Sequence, residues 1–388
     1  MKNLRTVSKR LSRAFAFVFG LLILVNCQPA RSERMSDDKP EKDQSIMLAL
    51  LLDTSNSMDG LIDQAKSQLW KIVNELAKAK CDDGSRPDIK IALYEYGNDG
   101  LPSSEGYIRL VSPLTNDLDV ISEKLFALTT NGGSEFCGHV IRTSLSQLAW
   151  SNSVADLKMI FIAGNEPFTQ GEIPYRTACS LAKEKGVVVN TIFCGDFNEG
   201  LRTDWKSGAD ITGGTYMSIE QNRKTVYIPT PYDKQIDAMN DQLNDTYVYY
   251  GKSGAYKKEQ QAVQDVNAES YGEANKVERA VSKSSHAYKN SSWDMVDAAK
   301  DDEKIIASAK EEDLPKEMKG MTVDQRKAYV RQKSEERKKI QTEIQALNKK
   351  RQEYIDTHTS QTDKDKMLDA AMINAVKQRA TEKNLRWQ

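Results

Sequence analysis

The stretch that most constrains the fold of this chain lies between Met47 and Lys80. An unbroken apolar run, Met47-Leu48-Ala49-Leu50-Leu51-Leu52, ends in the polar segment Asp53-Thr54-Ser55-Asn56-Ser57. Apolar residues then recur at Ile62, Ala65, Leu69, Ile72, Val73 and Leu76. A short apolar run without alternation suits a strand buried on both faces, and the spacing that follows marks one face of a helix. Strand, polar turn, helix is the repeating unit of a parallel sheet covered by helices, where ligands gather at the ends of the strands. At this turn Asp53, Ser55 and Ser57 place one carboxylate and two hydroxyls at alternate positions. Such an all-oxygen set suits a hard cation, Mg²⁺ or Mn²⁺, better than a soft metal.

The same alternation continues to about Gly251 and predicts an α/β fold with a doubly wound, mostly parallel sheet flanked by helices. Ile89, Ile91 and Leu93 mark a second strand, and Tyr107 to Val111 a third, read as an antiparallel edge partner. A helix is expected from about Asp117 to Thr129, followed by the loop Thr130-Asn131-Gly132-Gly133-Ser134-Glu135 and a helix from Val140 to Trp150. Leu157 to Ala163 and Val187 to Cys194 are buried strands. Gly213 to Met217 is a last edge strand, and Asp233 to Tyr247 a closing helix.

Taken together, Asp53-x-Ser55-x-Ser57 after a buried strand, the Gly132-Gly133-Ser134 loop and the β/α order resemble von Willebrand factor type A domains over roughly residues 46–250. The resemblance implies a metal-ion-dependent adhesion site, with Ser134 standing where the family has a threonine ligand. It also exposes a departure. The family ends the strand at 157–163 with an aspartate-bearing turn, whereas this chain has Ala163-Gly164-Asn165-Glu166-Pro167, so the aspartate position is Gly164. Glu166 or the Asn165 amide is the expected substitute, because hard cations accept carboxylate and carbonyl oxygens alike. The expected ligand set is Asp53, Ser55, Ser57, Ser134 and Glu166, holding Mg²⁺, Mn²⁺ or Ca²⁺; the competing expectation is a vestigial site lacking its last ligand.

Residues 1–27 read as an export signal: Lys2, Arg5, Lys9, Arg10 and Arg13 precede an apolar run from Ala14 to Val25 that is too short to span a bilayer. The run ends at Cys27, which resembles the lipidated cysteine of bacterial lipoproteins; an ordinary secretory signal cut nearby is the alternative. Residues 28–45 are polar and charged and read as a flexible tether. The expected location is therefore the bacterial cell envelope, membrane-anchored, facing the periplasm or the exterior. With Cys27 assigned to lipid, Cys81, Cys137, Cys179 and Cys194 allow three disulfide connectivities or none.

Beyond Gly251 the chain becomes rich in Lys, Glu, Gln, Ser and Ala, and residues 252–388 read as a charged helical region. Thr322-Val323-Asp324-Gln325 is a capping box opening a long helix to about Tyr354. In that helix Tyr329, Val330, Ile340, Ile344, Leu347, Tyr354 and Ile355 follow an approximate heptad pattern. Either a coiled-coil surface for oligomerisation or a helix packing on its own domain fits this pattern.

The net charge of −1 and interspersed lysines and glutamates exclude a general nucleic-acid surface. Three scattered histidines, His139, His286 and His358, exclude a histidine-built metal cage. There is no phosphate-binding glycine loop, nucleophile elbow or zinc spacing. Cys137 and His139 lie two apart and cannot face each other on a helix. Asp53 with Glu135 or Glu166 could form a carboxylate pair for hydrolysis, but surrounding a cation is the more economical role. The sequence thus predicts a non-enzymatic binding module, anchored by lipid, whose cation engages a protein partner able to supply an acidic residue. The alternative is an assembly scaffold acting through its C-terminal helices.

Overall fold

The computed structural model describes residues 44–225, 227–358 and 367–387. The expected signal segment with Cys27, and all of the tether but Gln44 and Ser45, lie outside the described residues. Strand β1 (Ser45–Asp53) is buried along its whole length. It is followed by α1 (Asp59–Leu76), β2 (Ala79–Cys81), β3 (Asp88–Tyr96), β4 (Ile108–Thr115), α2 (Leu118–Phe126), α3 (Cys137–Gln147) and β5 (Leu157–Gly164). Next come α4 (Tyr175–Glu184), β6 (Val188–Phe193), α5 (Phe197–Arg202), α6 (Trp205–Thr212), β7 (Tyr216–Ser218) and α7 (Asp233–Asn244).

These strands form a six-stranded sheet in the order β4-β3-β1-β5-β6-β7. β1 lies at the centre, parallel to both β3 and β5; β6 and β7 continue the parallel set, and only β4 runs antiparallel, at the edge. The chain builds outward from β1 to one side, then returns past it to build the other. The strand order reverses beside β1, so the carboxyl end of β1 is where a crevice opens. Alternation along β1 explains why it has no polar face. Ile46, Leu48, Leu50 and Leu52 join one core with α1, whereas Ala49 and Leu51 join a second with α3 and α4.

The C-terminal region consists of α8 (Gly254–Ser270), α9 (Glu273–Lys283), α10 (Met295–Asp301), α11 (Lys304–Ser308), α12 (Val323–His358), α13 (Leu368–Ala380) and β8 (Leu385–Trp387). The capping box forms as read: Gln325 N–H donates to Thr322 Oγ1 at 3.3 Å and Thr322 N–H to Gln325 Oε1 at 2.9 Å. These helices do not stand apart from the sheet. α9 and α13 pack on α1, α12 packs on α7, α9, α10 and α11, and β8 pairs antiparallel with β2. Val277, Ala280, Ile344, Met372 and Val376 therefore belong to the same core as β1. The positions read as a heptad seam are largely covered within the chain: Ile344 is buried in that core with Ile340 and Leu347 packed against it, and Val330 belongs to a smaller cluster with Met295 and Met318.

Many charges of this region are buried in pairs. Arg279 lies between Asp119 (2.6 Å) and Asp265 (2.9 Å), with its guanidinium over the Trp70 ring. Arg351 joins Asp233 (2.9 Å) to Glu278 (2.6 Å), and Arg337 meets Asp294 (2.6 Å) and the Thr246 carbonyl (2.7 Å). Arg279 comes from the helical region and Asp119 from α2, so the two parts of the chain are joined by satisfied charges as well as by apolar contact.

Candidate metal centre

Asp53 is the last residue of β1 and is fully buried. Its Oδ1 accepts the Ser55 N–H at 2.7 Å, which folds the turn so that the Ser55 and Ser57 hydroxyls lie 3.2 Å apart. Thr54, between Asp53 and Ser55 in sequence, points the other way. Its N–H donates to the Tyr96 carbonyl (2.8 Å) and its hydroxyl lies within reach of Glu95 (3.4 Å). The alternation noted in the sequence is therefore physical: the odd positions gather on one side and Thr54 locks the turn to β3.

The loop at 130–135 is held against this turn by its backbone. Asn131 N–H donates to the Thr54 carbonyl and Asn56 N–H to the Gly132 carbonyl, both at 2.9 Å. Ser134 is half-buried in that loop. Glu135, next to it, is buried, and the Gln170 side chain accepts its N–H at 2.7 Å. Its carboxyl lies against Asp53. Asp53 Oδ2 and Glu135 Oε2 are both buried and without a hydrogen-bond partner. Burial first, then Glu135, pushes the Asp53 carboxyl well above the usual carboxylate range; burial likewise raises Glu135. Two abutting carboxyls with no basic side chain among the groups that shift them favour a proton held between them, unless a cation takes its place.

The end of β5 accounts for the missing aspartate. A Cβ on Gly164 would stand 2.5 Å from the Tyr96 hydroxyl and 3.0 Å from Asp53 Oδ2. Tyr96 is fully buried and donates to the Ala163 carbonyl at 3.0 Å, so its phenol fills the space that a side chain at 164 would need. Gly97 is restricted in a similar way: it has φ +78°, and a Cβ there would meet Asp53 Oδ1 at 2.7 Å and Glu135 Cγ at 2.8 Å. Of the two proposed substitutes, the Asn165 amide donates to Ser57 Oγ at 3.2 Å. Glu166 is exposed; its carbonyl accepts the Trp205 indole N–H at 2.8 Å, and its carboxylate acts on Glu135 as a nearby like charge.

The structure thus brings Asp53, Ser55, Ser57 and Asn165 together and adds Glu135, which the sequence offered beside Asp53 as an acid that could surround a cation but which was not in the expected ligand set. Tyr96 and Gly97 were missed; their signal, an aromatic and a glycine at the end of a strand, is too common to single out. Among the described residues no three His, Cys, Asp or Glu side chains gather to hold a metal. The donor set that does fit a divalent cation is two carboxylates, each with a vacant buried oxygen, beside two converging hydroxyls. Cys81, Cys137, Cys179 and Cys194 are buried free thiols.

No family model matches the chain, and a search of curated proteins finds no match. Among solved structures the chain is similar to the conserved hypothetical protein BatB of Bacteroides thetaiotaomicron, at 15% identity and a TM-score of 0.34, over 45% of this chain and 90% of that one. It is similar to the SpRpn10 VWA domain at 17% identity and a TM-score of 0.34, over 45% and 88% of the two chains. A third similarity is to proximal thread matrix protein 1 of the mussel byssus with a zinc-occupied MIDAS motif, at 14% identity and a TM-score of 0.34, over 45% and 42%. The fold described above rests on the sheet order and register themselves.

Proposed function

We propose that this protein is a non-enzymatic binding module that holds a divalent cation, Mg²⁺ before Mn²⁺ or Ca²⁺, and uses it to engage a protein partner. The observation that carries the reading is the Asp53–Glu135 pair: two buried carboxyls side by side, each with an unsatisfied oxygen, at the carboxyl end of the central strand. A cation there balances their charge and takes further oxygens from Ser55 and Ser57, with Ser134, Asn165 or Glu166 at its margin. Coordination that the protein leaves open is available to a carboxylate of a partner. The same rim of the sheet carries apolar surface suited to a protein: Phe197 and Leu201 on α5, just after β6, are 49% and 38% exposed.

The lipid anchor at Cys27 and a place in the bacterial cell envelope belong to this proposal and are supported by the sequence alone. The scaffold alternative would put function in residues 252–388 by themselves; the core those helices share with β1 supports treating the described chain as one working unit. Partner capture from envelope extracts tests the proposal. Capture should need Mg²⁺, fall with a chelator and fail for Asp53→Ala. Equal capture by that variant would contradict it.

A further inference from the structure

A second site lies at the other end of the sheet, near the start of β3. A cleft of about 400 Å³ opens between the end of α1, β2, the loop before β3, and helices α9 and α12. Lys78, Lys80 and Arg86 line it, and among the described residues no carboxylate does. Lys78 does meet Glu75 at 2.6 Å, but Glu75 also binds Lys377, so one carboxylate serves two ammonium groups. Arg86 donates to the Ala77 carbonyl at 3.0 Å and faces His286 Nδ1 at 3.3 Å. Burial first, then Arg86 and Lys289, pushes the His286 imidazole down to about 4, which marks this wall of the cleft as positive.

Three residues lining the cleft also carry buried polar atoms without hydrogen-bond partners: Asn74 Oδ1, His286 Nε2 and Asn348 Oδ1. Such atoms are uncommon in folded proteins, and each is a place where a bound group can make a bond that the chain does not. Two are amide oxygens, which need donors. The apolar part of the lining is Ala77 and Val281, and His286 carries its one aromatic ring among the described residues.

We propose that this cleft binds a small acidic sugar. The phosphate or carboxylate of the ligand is held by Arg86, Lys80 and Lys78, and its hydroxyls donate to Asn74 and Asn348. Guanidinium and ammonium groups suit an oxyanion, while a polyol brings several hydroxyl donors spaced along a carbon frame, where inorganic phosphate brings one or two on a single atom. The volume lies within the range of about 300–1,000 Å³ of small-molecule sites. This site is separate from Asp53 and does not rest on the cation reading.

The test is calorimetric titration of the full chain with glucose 6-phosphate, glucuronate, inorganic phosphate and glucose. Glucose 6-phosphate or glucuronate should bind at least about tenfold more tightly than glucose or phosphate, since each of these lacks one half of the recognition. The comparison of the two acids identifies which anion is read. Arg86→Gln and Lys80→Gln should weaken the acidic sugar about tenfold or more. Asn348→Leu should weaken the sugar while leaving phosphate unchanged. Circular dichroism identifies any variant that fails to fold, and Lys80→Gln, which removes only an ammonium, then stands in for it. Absence of binding in the millimolar range overturns the proposal. So does phosphate binding as tightly as the acidic sugars, or affinity indifferent to Arg86, Lys80 and Asn348.

Discussion

Gly164 shows how one residue can be read correctly and still leave its cause hidden. That the expected aspartate is absent is plain from Ala163-Gly164-Asn165; that Tyr96 occupies its space is not, because β3 and β5 meet only in the folded sheet, on either side of β1. Placing an aspartate there should therefore damage the protein. Gly164→Asp puts a Cβ 2.5 Å from the Tyr96 hydroxyl and should destabilise by about 1–3 kcal/mol in denaturant melts, as overpacked cores do. Adding Tyr96→Phe should recover part of that loss. Asp53, Ser55 and Ser57 were legible because their geometry is local, set within five residues by one turn. That Glu135, rather than Glu166, lies against Asp53 was not, since its approach depends on hydrogen bonds between two loops distant in sequence. At His286 the folded imidazole titrates near 4 and the unfolded one near the ordinary 6.5. The unfolded chain thus binds more protons between those values, and stability should fall as pH drops from about 6.5 to about 4, then level off in this contribution. His286→Asn should flatten that part of the stability–pH profile; an unchanged profile would rule this contribution out.

At the level of elements, strands, caps and the helical character of residues 252–388 were readable, and what the charged helices bury was not. The uninterrupted apolar runs at 47–52 and 157–163 became β1 and β5 because only a strand covered on both faces tolerates them. The capping box at Thr322 and Gln325 is equally local and formed as expected. By contrast, α9 has few apolar residues, yet Arg279 and Lys283 are fully buried. Hydrophobic periodicity finds Ala274, Val277, Ala280 and Val281 but not the charged residues buried beside them, because those are paired inside. Burial alone would raise the Asp265 carboxyl, but Lys283 and Arg279 outweigh it and hold it below the usual range. These pairs are costly to break on one side. Arg337→Ala should destabilise by about 3–5 kcal/mol, because Asp294 is left buried without its counter-charge. The double change Arg337→Met with Asp294→Asn should cost less than the single one, as read from denaturant midpoints. A larger loss in the double variant would mean that packing of Arg337 on Tyr247, not charge, is what matters.

The whole molecule is joined through α1, whose outer face is covered by α9 and α13. A break in composition at Gly251 marks where the sequence changes character, and the core continues through it. Residues 44–251 alone should expose Trp70, which Arg279 covers, bind a hydrophobic dye and lose near-ultraviolet dichroism while keeping helical signal. Sharp cooperative unfolding of that fragment would show instead that the helices are dispensable. The same unity places the cation pocket and the basic cleft in one body at different ends of one sheet. The central claim is that Asp53 and Glu135 hold a divalent cation, and it is tested most directly by calorimetric titration of the full chain with Mg²⁺ and Mn²⁺. The expected result is one cation per chain, lost in both Asp53→Ala and Glu135→Gln while circular dichroism stays native. No binding by the unaltered chain, or equal binding by the two variants, would contradict it.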